Sequence, residues 1–412
     1  MLNKDVMSEA LIRPFKGLIY NKQKIDDISL CVCPPYDIIP DPSIYYNRSG
    51  FNAVRLELPV ATAQATEYDE AGRTLEAWLR DRVLTSDATE TVYMYEQEFQ
   101  ADGATYVRRG LIPLVKLDRS RILTHEETRK AAREDRERLI HRLKTFTSLI
   151  FSLYDDEEKA VEKLLESSAK EKMYDFIDEL SIANRFYRMT DPAEIGRLTE
   201  LMDNKRIYVA DGHHRLSVAF KLGLPYVAMY LTDMHAEGIV ILPYHRIIRS
   251  QRKMPLGNLL GRVAGSLAME KVPLTDPGTL KGVLKRLASG PNPSFGLYSK
   301  DDKAHLYVLA QGRPFFTDET TPESLRRLSV NIAHSGLLKG LFGIKEEEIS
   351  FIQDAAEAVR IVSEGSAELA LFVPPTTVNE VRDVAEHGLY MPPKSTYFYP
   401  KVITGLVFHT YA

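Results

Sequence analysis

β-Branched, aromatic and aliphatic residues recur through Thr91–Phe99 and again through Thr105–Leu117, the composition of strands. Ala101-Asp102-Gly103-Ala104 between them predicts a hairpin. Shorter runs predict strands at Leu18–Tyr20, Ser148–Tyr154, Arg185–Met189, Arg206–Ala210, Tyr226–Thr232 and Gly238–His245, and later at Ser294–Tyr298, Ala304–Leu309, Ala367–Val373 and Lys401–His409. Asn52–Leu58 also reads as a strand, because Val54, Leu56 and Leu58 alternate with Arg55 and Glu57 and so place both charges on one face. Helical spacing predicts helices over Glu67–Arg82, with Trp78 on the apolar stripe, Thr124–Lys144, Glu157–Ser167, Asp211 to near Gly223, Leu259–Leu267, Gly278–Ala288 and most of Thr321–Phe342. This interleaving predicts a mixed α/β to α+β fold. A chain of 412 residues favours two domains. The polar, Pro- and Gly-containing stretch Ser250–Gly257 divides them into 1–250 and a smaller α/β domain, 251–412.

Composition narrows the function classes. With 53 Lys and Arg against 57 Asp and Glu, the net charge of −4 supplies no global field for gripping nucleic acid, and a nucleic-acid partner is not expected. The two cysteines, Cys31 and Cys33, lie too close to bridge each other, which fits a reducing cytoplasm. The N-terminal residues lack a continuous apolar segment with a small-residue cleavage site, and no apolar run reaches the length of a membrane span. A cytoplasmic protein with a small-molecule substrate and no membrane partner is the expectation.

Three segments carry candidate chemistry. In RIYVADGHHRLSVAF, Arg206–Phe220, a strand runs into Asp211 as a candidate N-cap, then Gly212, His213, His214 and Arg215. The first N–H groups of the helix have no intrahelical partners and attract an anion, phosphate above all, while Arg215 offers a two-pronged grip on its oxygens. In Thr124–Lys144, Thr124 and Glu127 have capping-box form, and His125 and Glu126 sit where side chains can enter a cleft; Asp135 and Arg136 join them only if the helix lies along a pocket. In Met391–Lys401, two prolines exclude helix and Lys394-Ser395-Thr396 places a cation beside two hydroxyls, suited to closing over an anion. Each segment also has a plain structural reading, as a capped surface helix, a solvated helix face and a packed aromatic loop. Glu57 and Asp37 are isolated acids, either of them a candidate base. One Cys pair without a second at zinc spacing gives no metal site.

Taken together these segments resemble the family known as domain of unknown function 1015. The resemblance rests on Arg13-Pro14-Phe15-Lys16-Gly17, Cys33-Pro34-Pro35-Tyr36-Asp37, Asn52 to Glu57, Tyr95-Glu96-Gln97, His125-Glu126 with Thr128, Glu134-Asp135-Arg136, Ala210 to Arg215, and Met391 to Lys401. It departs at Thr124 and Ala132, where relatives carry Pro, at Arg133, where they carry Lys, and at Leu149 and Ser152, where they carry Pro and Gly. The Asp-Gly-His-His-Arg element also resembles the phosphate-binding loop of the ParB/sulfiredoxin-like superfamily, some members of which are free serine kinases. That resemblance implies a ParB/sulfiredoxin-like core in 1–250, with the loop 391–401 of the second domain closing on the site.

The reading that follows is a small-molecule phosphotransferase. It would use ATP, ADP or pyrophosphate, with Mg2+, to phosphorylate a serine-like hydroxyl. Asp211, His213, His214, Glu57 and Asp37 would be catalytic. Gly212, Arg215, His125, Glu126, Thr128, Asp135, Arg136, Lys394, Ser395 and Thr396 would bind the phosphate donor. The alternatives are a nucleotide-binding regulatory protein of ParB type without turnover, and a metal-dependent hydrolase built on His125, His213 and His214.

Overall fold

A computed structural model describes residues 10–250, 252–290, 293–311 and 320–411. Residues 1–9 and Gln251, on which part of the N-terminal and boundary readings rests, lie outside the described residues. The chain forms two compact units. The first comprises Met1–Thr124, Thr128–Val240 and Pro400–Ala412, the second His125–Glu127 and Ile241–Tyr399.

The first unit is organised by a ten-stranded mixed sheet. Its spatial order is Glu171–Ile177, Ala183–Met189, Val92–Ala101, Ala104–Ile112, Tyr226–Asp233, Ile150–Tyr154, Ile207–Asp211 and Ile122–Leu123, with Leu114–Lys116 also paired to Tyr226–Asp233 and Ile12–Arg13 paired to Leu114–Lys116. The expected hairpin is present, Tyr93 opposite Ile112 and Ala101 opposite Ala104. Tyr226–Asp233 runs parallel to Ile150–Tyr154, whereas Ile207–Asp211 runs antiparallel to it. One core buries Ile150, Val209, Val218, Val227 and Met229 together with Leu216 of the helix His213–Lys221. The C-terminal tail belongs to this unit: Leu18 and Phe408 exchange backbone hydrogen bonds, as do Cys33 and Thr404, and His409 pairs with Phe146.

The second unit carries a six-stranded sheet, in the order Leu267–Pro273, Asp302–Gln311, Ser294–Ser299, Leu369–Phe372, His245–Ile248 and Ile349–Ile352, with antiparallel neighbours throughout. Successive residues face opposite sides of a strand. Ile248, Leu297, Leu369 and Leu371 therefore meet the helices Leu256–Val263 and Ile332–Leu341, while Ile247, Tyr298, Ala370 and Phe372 meet Pro277–Ser289 and Ala355–Ser363.

Several expectations are corrected. Asn52–Leu58 is not a strand: Val54–Glu57 forms a helical turn, because the Asn52 Oδ1 accepts from Val54 N at 2.9 Å while its amide donates to Leu30 O and Val32 O. Arg55 and Glu57 therefore do not share a face. The helix expected from Thr124 begins at Lys130 with Arg129 as N-cap, so Thr124 and Glu127 form no capping box there. Asp211 is the last residue of its strand and not an N-cap; the helix starts at His213, and Gly212, with φ +92°, takes the cap position with no side-chain hydrogen bond. Leu267 opens a strand instead of ending a helix. Of Lys401–His409, only His409 lies in a strand. Cys31 and Cys33 are free and buried.

Candidate functional site

Gly212 creates the centre of the site by bending the chain between strand and helix. A Cβ at this position would stand 3.0 and 3.1 Å from Arg215 Nη2 and Nε and 3.2 Å from Ile150 Cα, so the Arg215 guanidinium folds back over a residue that has no side chain. The positive φ independently favours glycine here. Arg215 is buried, and its Nε has no partner among the described residues. Its Nη2 lies 3.6 Å from Asp211 Oδ2, and Lys401 Nζ lies 3.4 Å from Asp211 Oδ1. Two cations therefore share one carboxylate.

This arrangement sets the charge states. Burial alone would push the Asp211 carboxyl up, but Lys401, Arg215 and His213 together hold it well below the usual carboxylate range. Burial lowers His213 to about 4, opposed by Asp211 and aided by His214, Lys401 and Arg215, so its imidazole is neutral at pH 7. His214 accepts the Arg129 N–H on Nε2 at 3.0 Å, which ties the start of the helix Lys130–Leu143 to the start of His213–Lys221.

Lys401 was not among the residues selected from the sequence, although it closes the Met391–Lys401 segment. Its position is set by the hairpin. Gln97 Nε2 donates to Lys401 O at 3.1 Å, and Arg108, fully buried, donates from Nη2 to Pro400 O at 2.5 Å and to Gln97 Oε1. The Arg108 guanidinium lies 4.7 Å from the Phe151 ring centre and 5.7 Å from that of Tyr230. Gln97, in the Tyr95-Glu96-Gln97 element, was the available signal. Its link to Pro400 and Lys401 is a tertiary contact that spacing cannot disclose.

Next to this centre, Glu57, Arg136, Thr147, Ser148 and Arg215 line one narrow cleft. Glu57 is fully buried; its carboxylate accepts the Thr147 hydroxyl and, at 2.9 Å, the Ser148 hydroxyl, with Arg136 Nη1 at 3.7 Å. Arg136 also donates to Glu57 O at 2.8 Å, pairs with Asp135 at 2.6 Å and stacks 4.2 Å above Tyr36. Burial pushes the Tyr36 hydroxyl up to about 12 against the opposing charges of Arg215 and Arg136, so it stays protonated. Asp135 accepts the Tyr68 hydroxyl, Asp37 is exposed in the turn Tyr36–Ile38, and Thr128 is half-buried.

The remaining candidates belong to the second unit. His125 is buried, with Nε2 3.2 Å from Thr396 Oγ1, and its carbonyl accepts Met391 N at 2.9 Å; Glu126 beside it is half-buried. Ser395 donates to Pro392 O, and Lys394, at φ +56°, places its ammonium over the Tyr244 ring, 5.0 Å from the centre.

The family described as "Protein of unknown function (DUF1015)" matches residues 12–331, a span that includes Gln97, Glu57, Arg136 and Asp211–Arg215. The chain belongs to this family. No curated protein matches it. Among solved structures, a free serine kinase in complex with AMP is 13% identical with a TM-score of 0.37, covering 69% of this chain and 85% of its own. A conserved hypothetical protein from Pyrococcus furiosus is 14% identical with a TM-score of 0.35, covering 70% of this chain and 91% of its own. SbnI from Staphylococcus aureus is 12% identical with a TM-score of 0.37, covering 72% and 86%. Among the described residues of this DUF1015 member, no helix is long and apolar enough to cross a membrane.

Proposed function

We propose that this chain binds the phosphates of a nucleotide or of pyrophosphate at Asp211–Arg215 and transfers a phosphoryl group to the hydroxyl of a small, serine-like acceptor. The observation that carries this reading is the pair of buried cations, Arg215 and Lys401, on the single carboxylate of Asp211 at an uncapped helix N-terminus. Two cations stand on one carboxylate there, Arg215 Nε has no partner among the described residues, and the first helical N–H groups add partial positive charge. The sequence resemblance to the ParB/sulfiredoxin-like loop supports the same ligand, and a core of that type is part of the proposal.

Phosphoryl transfer demands positioning and cations around the moving group more than covalent chemistry. The acceptor oxygen forms the new P–O bond as the bond to the leaving phosphate breaks, and the hydroxyl proton passes to a base. Of the three acids, Asp211 is ionised and stands among the cations, Glu57 is already engaged by two hydroxyls and Arg136, and Asp37 is exposed. Asp211 is therefore assigned the proton or the metal. Mg2+ binds through one or two carboxylates together with substrate phosphates, and Asp211 is the carboxylate that would hold it. Neutral His213, with His214, would steady phosphoryl oxygens and Arg215 the leaving phosphate. The test is mass spectrometry of products from serine with ATP, ADP or pyrophosphate. A phosphorylated product that disappears in Asp211→Asn and His213→Ala supports transfer; none across a broad panel of hydroxyl acceptors rejects it.

The complete engagement of Glu57 favours a second reading, a nucleotide-binding regulatory protein of ParB type without turnover. Tight nucleotide binding in the absence of any product would select it.

A further inference from the structure

The second unit buries a charge with which no described acid pairs. Arg246 lies in the strand His245–Ile248 and is 0% exposed. Side chains alternate along a strand, so Arg246 shares the face of Ile248, towards the helix Ile332–Leu341, and not that of Ile247. Leu371 and Phe351 stand opposite it on the two flanking strands, and the Phe351 ring centre lies 5.5 Å from the guanidinium carbon. Arg246 Nη1 donates to Tyr244 O, whereas Nε and Nη2 have no partner among the described residues. Those two nitrogens form one edge of the guanidinium, the side-on fork that grips both oxygens of an oxyanion.

Three further observations separate Arg246 from an ordinary core residue. Burial lowers its pKa to about 10, opposed by Glu346, so it stays charged at pH 7. Glu346 itself is held by His334 Nε2 and Lys339 Nζ, each at 3.0 Å. His334 is buried on the facing helix, and its Nδ1 also has no partner among the described residues. Burial holds its imidazole below the ordinary value, with Glu346 opposing and Lys339 and Arg246 assisting, so His334 and Arg246 share one electrostatic neighbourhood. Ile332–Leu341 is wound as a π-helix, a rare form that recurs at functional sites. A methionine or leucine would fill the place of Arg246 without needing a counter-charge. A buried guanidinium is retained where an anion pairs with it.

We infer that the Arg246 fork, between the sheet and the π-helix of the second unit, binds the carboxylate of a small monocarboxylic acid. One guanidinium balances one negative charge, and neutral His334 adds none; a phosphate group brings about 1.5–2 charges at pH 7 and would be left in excess. The rest of the acid meets apolar neighbours, Ile248, Leu371 and Phe351. Phe351 is half-buried on the edge strand Ile349–Ile352, and it is the side chain that turns to admit the ligand. This site does not depend on the phosphate reading at Asp211–Arg215.

The probe is butyrate, titrated calorimetrically into the full chain at an ionic strength fixed with sodium chloride, with uncharged butyramide in parallel. One butyrate per chain is expected, and no butyramide. Arg246→Lys keeps a cation without the fork and Arg246→Met keeps neither, so both should bind butyrate at least about tenfold more weakly. Circular dichroism establishes whether each variant is folded. Hydrogen exchange of the wild type decides the matter if neither is: butyrate should slow exchange in Tyr244–Ile248 and Ile332–Leu341 and leave Ile207–Lys221 unchanged, and inorganic phosphate should not slow it at Tyr244–Ile248. No butyrate binding by the wild type, equal binding of butyramide, unchanged affinity in a folded Arg246 variant, protection outside the two segments or equal protection by phosphate overturns the inference. The phosphate site lies in the first unit and is read by nucleotide and pyrophosphate binding, so failure here leaves it unaffected.

Discussion

Lys401 Nζ stands 3.4 Å from Asp211 Oδ1, so the C-terminal tail supplies a cation to a turn formed in the middle of the chain. Arg215 approaches the other oxygen of the same carboxylate, and these two cations are the proposed anchor for an anion. Replacing Lys401 by Met removes one of two cations while keeping the aliphatic stem. Pyrophosphate or ATP affinity is expected to fall by about 1.5–3 kcal/mol, the range for a hydrogen bond to a charged group. Unchanged affinity by calorimetry would remove Lys401 from the site.

Gly212→Ala tests the backbone geometry. An L-residue at φ +92° is strained by roughly 1–3 kcal/mol, and the new Cβ presses on the Arg215 guanidinium. Denaturant unfolding should show that loss, and phosphate affinity should drop with it because Arg215 is displaced. A variant with wild-type stability and affinity would mean that the guanidinium does not lie over Gly212.

Glu57 receives two hydroxyls and faces Arg136 in a fully buried position. Truncation to Ala leaves those donors and a buried guanidinium charge unmatched, at a cost of about 3–5 kcal/mol. Glu57→Gln keeps one acceptor and should lose less. Equal thermal stability of wild type and Glu57→Ala would show that the buried network contributes nothing to the fold.

His213 makes a pH prediction with a definite sign. Its folded pKa, near 4, lies below the ordinary 6.5, so the unfolded chain binds a proton that the folded chain refuses. Stability from this group is present above pH 6.5 and is lost as pH falls towards 4, to a total of about 3 kcal/mol. His213→Gln should flatten the stability profile over that window. The buried histidines His245 and His409 titrate in the same direction, so the comparison is between wild type and variant and not against a flat line.

Much of the architecture was legible because long elements declare their period. The helix Glu67–Arg80 is long enough for helical spacing to declare it, and the hairpin from Val92 to Ile112 is marked by Asp102-Gly103 between two strand-like runs. Val54–Glu57 has neither signal: four residues fit either period, and the decision belongs to the Asn52 side chain, whose partners come from another segment. Asp211 likewise has the composition of an N-cap, but Lys401 and Arg215 engage its carboxylate and leave the cap position to Gly212. Arg215 and the histidines were accessible to sequence reasoning because they follow a strand–glycine–helix pattern. Lys401, Arg108, Thr147 and Ser148 were not, since only folding brings them to the residues they hold.

Equilibrium binding of ATP, ADP and pyrophosphate to wild type, Arg215→Ala and His141→Ala tests the phosphate site most directly. His141 lies exposed on the helix Lys130–Leu143 and serves as the control. Binding by wild type and His141→Ala, weakened by about 1.5–3 kcal/mol in Arg215→Ala, is the expected result. No binding of any of these compounds by wild type, or equal losses in both variants, would contradict a phosphate site at Asp211–Arg215.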